Sequence, residues 1–184
     1  MFVADVNHGA KPMCDDGIAR AFDSHVTTQQ DERHLTHQDS PMIRPTRSAL
    51  YMPGSNARAL EKAKTLSADA VILDLEDAVA PDAKAIARTQ VCAAVAAGGF
   101  GQRQVVIRIN ALDTPWGQAD LDAAAKTNPD AILLPKPNTA GDIDRASAAL
   151  RQAGATQTTK LWAMIETPLA VLNTASCAVR PDTS

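Results

Sequence analysis

At 184 residues and 45% hydrophobic content, the chain is long enough to bury a substantial core, as one domain or as part of a larger one. A net charge of -3 excludes a general attraction for nucleic acid, and no apolar run reaches the 18 residues of a membrane span. There is no secretory n-region and h-region pattern, so a cytoplasmic protein is expected. The three cysteines, Cys14, Cys92 and Cys177, are scattered and form no C-x-x-C pair, which reads as ordinary reduced thiols.

Residues 1–41 differ from everything after them. Polar runs such as TTQQDERHLTHQDS carry almost no apolar period, and the four histidines (His8, His25, His34, His37) stand at irregular spacings that do not fit a metal site. The segment is expected to be disordered, or an upstream over-extension of the reading frame with Met42 as the natural start.

From Arg44 the pattern is regular. Ser48 to Met52 reads as a strand and Ser55 to Leu66 as a helix. In PGSNARALEK, Gly54 and Ser55 stand at a helix N-terminus, with Arg58 and Lys62 at i+3 and i+7 from Ser55. That face would suit a phosphate-rich ligand, or is a solvated charge stripe. Ala70 to Leu75 is the second strand, opening AVILDLEDAVAP. This short apolar run stops on Asp74, Glu76 and Asp77, as a buried parallel strand does when it carries acids to its C-terminal end. The acids form a candidate metal or catalytic rim, or cap the next helix in solvent.

Asp82 to Ala97 has helical period along Ala83, Ile86, Ala87, Val91, Ala94 and Val95, and Gly98 and Gly99 end it. Val105 to Ile109 is the third strand, Trp116 to Ala125 a helix, Ala131 to Leu134 a strand, Gly141 to Gln152 a helix and Leu161 to Ile165 the fifth strand. Apolar period is lost after Val171 and Leu172, and residues 174–184 read as a divergent or truncated tail. Alternating strands and helices imply an α/β fold with a parallel sheet. The absence of G-x-G-x-x-G after the first strand argues against dinucleotide binding. Five βα units suit a partial TIM (β/α)8 barrel over residues 42–173, since a closed barrel takes about 250 residues.

Polar groups gather at the strand ends where such a barrel places its active site: Glu76 and Asp77, Arg108 and Asn110, Lys136, and Glu166. Arg108 lies inside VVIRIN, and a buried guanidinium is costly unless it meets an anion. It either meets a substrate or makes a structural salt bridge to Glu76 or Asp77. Glu166 ends an apolar strand; Mg2+ ligation would relieve its burial, and the other reading is a helix-capping acid before Pro168.

The ordered motifs RSALYMPGSNARALEKA, ADAVILDLEDAVAPDAKAIAR, VVIRINALDTPWGQADL, ILLPKP and MIETPLAVLN resemble the citrate lyase β-subunit-like lyases. These belong to the HpcH/HpaI aldolase/citrate lyase superfamily, with the malyl-CoA lyases among them. The resemblance runs from Arg44 to about Asn173. It implies an Mg2+-dependent carbon-carbon lyase acting on a 3-hydroxyacyl-CoA thioester of the citryl-CoA, malyl-CoA or citramalyl-CoA class, homo-oligomeric in intact relatives.

By motif position, Glu166 would be a direct Mg2+ ligand, and Glu76 and Asp77 would hold metal-bound waters. Arg108 would pair with the substrate carbonyl or carboxylate, Arg47 and Lys62 would meet CoA phosphates, and Lys136 matches the family's P-K pair with its role open. Asn56 stands where many relatives have an arginine. The family's second metal-binding acid, in a later G-x-x-D-type motif, and a C-terminal acid from a neighbouring subunit have no counterpart here. The chain by itself is therefore expected to be inactive. The alternatives are a metal-dependent pyruvate-class aldolase acting on free keto acids, and a non-functional truncated gene product.

Overall fold

The computed structural model of the chain describes residues 2–5 and 46–178. Five strands, β2 (Ala49–Pro53), β3 (Ala70–Asp74), β4 (Gln104–Arg108), β5 (Ala131–Pro135) and β6 (Lys160–Ile165), pair in parallel in chain order. A further strand, β1 (Phe2–Asp5), pairs antiparallel with β6, so the sheet order is β1-β6-β5-β4-β3-β2. This corrects the disorder expected for residues 1–41 at Phe2–Asp5, where the short run FVAD takes up the free hydrogen-bonding edge of β6. The rest of that segment lies outside the described residues, as do Cys14 and the histidines.

Between the parallel strands run α1 (Ala57–Ala63), α2 (Lys84–Ala97), α3 (Gly117–Ala125) and α4 (Ala140–Gln152). The α/β alternation is as the sequence pattern predicts, and the differences lie at the ends. Asn56 caps α1 by accepting from the Ala59 amide at 3.1 Å, so that helix starts two residues later than its apolar period. Pro81 begins a single 3-10 turn, Pro81–Ala83, before α2. Thr139 and Asp142 close a capping box on α4.

Past β6 the chain continues into α5 (Pro168–Leu172) and α6 (Thr174–Ala178), so helix extends past the last residues with a clear apolar period. Thr167 caps α5, and Cys177 is buried, so one apolar position per turn holds this end against α4. Among the described residues, Cys92 and Cys177 are free thiols and no helix is long and apolar enough to cross a membrane.

Side-chain alternation divides the core in two. Val71, Leu73, Val105, Ile107, Ile132, Leu134 and Leu161 face the helices and form the main core with Leu60, Val91, Leu121 and Ile143. Ile72, Val106, Leu133 and Met164 form a second cluster on the opposite face, with Tyr51 and Trp162 against it. Asp74 and Arg108 share the parity of Ile72 and Val106, and Glu166 that of Trp162 and Met164. The polar residues at the strand ends thus extend the second face.

Gly54 is fixed by packing. Its amide donates to the Asp74 carbonyl at 2.8 Å, and a Cβ there would stand 2.6 Å from that oxygen and 2.7 Å from a Val91 methyl. The glycine in PGS lets the chain cross the end of β3.

Candidate active site

Arg108 is at the centre of the site. It is 5% exposed, and two of its nitrogens are taken by one carboxylate: Nε donates to Asp74 Oδ1 at 2.7 Å and Nη2 to Asp74 Oδ2 at 2.6 Å. The same carboxylate accepts the amides of Glu76 at 2.8 Å and Ala78 at 3.0 Å. Burial, the largest single influence on Asp74, raises its pKa. The hydrogen bonds from Arg108 and the Glu76 amide, with the guanidinium charge, outweigh it and hold the carboxyl below the usual range. Arg108 is likewise held charged: burial opposes its charge, and Asp74 overrides that.

Only Nη1 of Arg108 is left for the rim. It lies 3.0 Å from Glu76 Oε2 and 3.4 Å from Asp77 Oδ2, while the guanidinium stands 5.0 Å from the centre of the Tyr51 ring. The Glu76 contact has ion-pair distance without hydrogen-bond alignment, so Oε2 is a buried carboxylate oxygen with no hydrogen-bond partner. Burial pushes the Glu76 carboxyl up, against the pull of Lys136 and Arg108.

Lys136 ties the acids together. It leaves β5 with φ 52, a left-handed conformation uncommon for a lysine. Its Nζ hydrogen-bonds Glu76 Oε1 and lies 3.6 Å from Asp77 Oδ1, while its amide donates to Glu166 Oε1 at 3.2 Å. The bond to Glu76 is the chief cause of its raised pKa. Glu166 is half-buried at the end of β6, and Thr167 supplies the cap of α5, which disposes of the capping role for Glu166.

The structure therefore brings Glu76, Asp77, Arg108, Lys136 and Glu166 to one rim and leaves two predicted residues outside it. Arg47 precedes β2 at the opposite end of the sheet, about 17 Å away for a five-residue strand, and pairs with Asp69 at 3.5 Å. A cavity of about 430 Å³ beside it, lined by Ser48, Ser67 and Asp69, also lies at that far end. Arg47 thus stands at the end of the sheet away from the acids, held by Asp69, and is not part of the rim. Lys62 is exposed in the last turn of α1 and is not in contact with the acid rim. Next to Lys136 a cavity of about 110 Å³ opens between Ala111–Asp113 and Asn138, with Arg145 on its wall, room for waters or a small acyl fragment.

Sequence reasoning missed Asp74 as the clamp of Arg108, and missed Lys84, Arg88 and Asp120 behind the rim. Asp74 and Arg108 are register partners on β3 and β4, a relation that the sequence pattern of either strand does not show.

A divalent cation fits this donor set in a limited way. Four carboxylates, of Asp74, Glu76, Asp77 and Glu166, face the two cations Arg108 and Lys136, and Glu76 Oε2 has spare acceptor capacity. Among the described residues no three His, Cys, Asp or Glu groups converge into a cage. Such a rim suits an ion that takes few protein ligands and keeps its waters, as Mg2+ does.

Comparison with known proteins decides the family. The sequence pattern of HpcH/HpaI aldolase/citrate lyase matches residues 47–182. The chain belongs to this family. It is 46% identical over 147 residues to a (3S)-malyl-CoA thioesterase of Cereibacter sphaeroides, covering 80% of this chain and 48% of the relative. It is 36% identical over 133 residues to the citrate lyase subunit beta of Escherichia coli, covering 70% and 44%.

Among solved structures, it resembles the citrate lyase beta subunit of M. tuberculosis complexed with oxaloacetate and magnesium. The TM-score is 0.55 and the identity 30%, over 70% of this chain and 51% of that one. The CitE protein of the same organism, in complex with magnesium, acetoacetate and coenzyme A, gives 0.59 at 30% identity over 76% and 47%. The chain spans about half the length of the curated relatives it matches. Its five parallel βα units are part of the TIM-barrel-like fold of the HpcH/HpaI family.

Proposed function

We propose that the chain carries part of the active site of an Mg2+-dependent lyase that cleaves the carbon-carbon bond of a 3-hydroxyacyl-CoA thioester of the malyl-CoA, citramalyl-CoA or citryl-CoA class. The observation that supports it most is the fork between Arg108 and Asp74, which leaves Nη1 facing an acid rim with spare acceptor capacity. Glu166 would hold Mg2+ directly and Glu76 and Asp77 its waters, and the bound ion supplies Lewis-acid polarisation of a keto-acid oxygen. Arg108 Nη1 would donate to the substrate oxygen on which negative charge grows, oriented in advance by Asp74. Lys62, at a distance from the rim, would contribute only to binding the CoA phosphates.

In such a cleavage the 3-hydroxyl loses its proton and the C2–C3 bond breaks. Its electron pair is left on the thioester fragment as an enolate, which then takes a proton, so malyl-CoA gives glyoxylate and acetyl-CoA. A second reading is favoured by the 46% identical malyl-CoA thioesterase: water adds to the thioester carbonyl and the C–S bond breaks, giving malate and free CoA thiol. Incubation of the barrel, completed by the remaining strands of the family fold, with (3S)-malyl-CoA and Mg2+, with products separated by chromatography, distinguishes them. Glyoxylate with acetyl-CoA supports the lyase and malate with free thiol the thioesterase. Absence of both products, together with no Mg2+ binding by calorimetry, overturns the proposal.

A further inference from the structure

The turn that carries Glu76 and Asp77 is gripped from behind. Lys84 Nζ donates to the Leu75 carbonyl at 2.8 Å and to the Glu76 carbonyl at 2.6 Å. Lys84 opens α2, is only 6% exposed, and has the Trp116 ring 5.5 Å from its ammonium. Two carbonyls and an aromatic face thus take up the charge of a lysine whose pKa burial lowers.

The Leu75 carbonyl also accepts Asn110 Nδ2 at 2.8 Å. Asp120 Oδ2 receives both the Asn110 amide, at 3.0 Å, and Nδ2, at 2.6 Å. Asp120 Oδ1 takes Arg88 Nε at 2.6 Å, and Asp120 is fully buried. Lys84 and Arg88 stand four residues apart on α2, and Trp116 and Asp120 four apart at the start of α3. Together they make a polar seam within the apolar layer between α2, α3 and the sheet. Buried ionic groups seldom add stability over apolar packing of the same volume, so the value of such a seam lies in the geometry it fixes.

We propose that Lys84 is a positioning residue: it clamps the Leu75–Glu76 backbone so that Glu76 and Asp77 face Arg108 and Lys136, with Asn110, Asp120 and Arg88 as the backstop. Its value for catalysis rests on the function proposed above, whereas the clamp itself can be tested without metal or substrate. The Glu76 and Ala78 amides bond the Asp74 carboxylate and the Val79 amide bonds the Glu76 carbonyl, so amide exchange reads the turn directly.

The experiment is native-state hydrogen exchange by NMR on the full chain and its Lys84→Met, Lys84→Arg and Trp116→Leu variants. In Lys84→Met, the amides of Glu76, Ala78 and Val79 exchange about tenfold or more faster while those of Val106 and Ile132 in the central strands keep wild-type rates. This is the pattern of a local opening. Lys84→Arg restores much of the protection, and Trp116→Leu, which keeps the ammonium and its carbonyls, shows the same pattern to a smaller degree. Wild-type exchange at the turn in Lys84→Met overturns the proposal, as does equal acceleration at turn and strands. Should Lys84→Met fail to fold, wild-type turn exchange in Trp116→Leu overturns it. Absence of Mg2+ binding by the unaltered chain would count against the proposed function and leave the exchange result standing.

Discussion

Asp74 and Arg108 are register partners on neighbouring parallel strands, and the carboxylate of the first holds the guanidinium of the second at two points, 2.6 and 2.7 Å. The pair is 1% and 5% exposed, so neither charge has water to fall back on. The same carboxylate caps the turn carrying Glu76, and one side chain therefore sets both the cation and the acids of the rim.

Removing Asp74 leaves an uncompensated buried guanidinium, so Asp74→Ala should cost about 3–5 kcal/mol of folding stability in chemical denaturation. The cost should depend on pH. The folded-state pKa of Asp74 lies below its unfolded value of about 3.9, so its contribution is complete above that value and is lost as pH falls through the lower, folded one. The gap between wild type and Asp74→Asn should be full at pH 6 and narrow below about pH 4; a gap of equal size at both ends would contradict the ion pair.

Arg108→Lys keeps the charge and loses the fork. A lysine cannot satisfy both Asp74 oxygens and still present a donor where Nη1 stands, so in a barrel completed by the remaining strands of the family fold turnover should fall about 10²- to 10³-fold, the usual cost of one lost transition-state donor. Steady-state kinetics on malyl-CoA check this. Wild-type turnover would return Arg108 to the purely structural salt bridge that its sequence context also allows.

The layered fold was legible because five near-continuous apolar runs alternate with helical period, and parallel strands buried on both faces have to read that way. Arg108, Glu76 and Glu166 were legible because each is a charge at the end of such a run. Asp74 was seen only as one of three acids: its role comes from β3–β4 register, a long-range relation that no local pattern carries. Lys84 and Asp120 were hidden because a charge on a helix reads as solvent-facing, and only packing shows the seam between α2 and α3. The distance of Arg47 from the acids was not legible, because motif adjacency does not reveal which end of a strand a residue occupies. Phe2–Asp5 was passed over because four apolar-rich residues in a polar segment become a strand only when an edge such as β6 is at hand.

Glu166→Ala should remove Mg2+ binding with little loss of stability. The carboxylate is half-buried and receives the Lys136 amide at 3.2 Å, so its deletion costs about one ordinary hydrogen bond, 0.5–1.5 kcal/mol. Calorimetric titration with MgCl2 alongside thermal melting separates the two effects. Retained Mg2+ affinity would place the ion elsewhere.

In the same completed barrel, Lys62→Ala should raise KM for the CoA thioester and leave kcat nearly unchanged, since a phosphate contact remote from the reacting carbon stabilises ground and transition states alike. A fall in kcat with KM unchanged would contradict remote binding and draw α1 into the chemistry.

Lys136→Met tests the cation that joins Glu76 to the rim. Burial already raises the Glu76 pKa, and the Lys136 hydrogen bond is the foremost influence opposing it, so its removal should push the Glu76 titration further up. A carboxyl raised in the folded state binds its proton more tightly there than in the unfolded chain. The stability it contributes is therefore greatest at low pH and declines as pH rises from the unfolded value through the folded one. Lys136→Met should accordingly be destabilised more at pH 7 than at pH 4, in the same sense as Asp74→Asn although the two carboxyls are shifted in opposite directions. Carboxyl ¹³C NMR of Glu76 in metal-free buffer, with denaturation at the two pH values, measures both, and an unmoved Glu76 titration would show that Lys136 only skirts the rim.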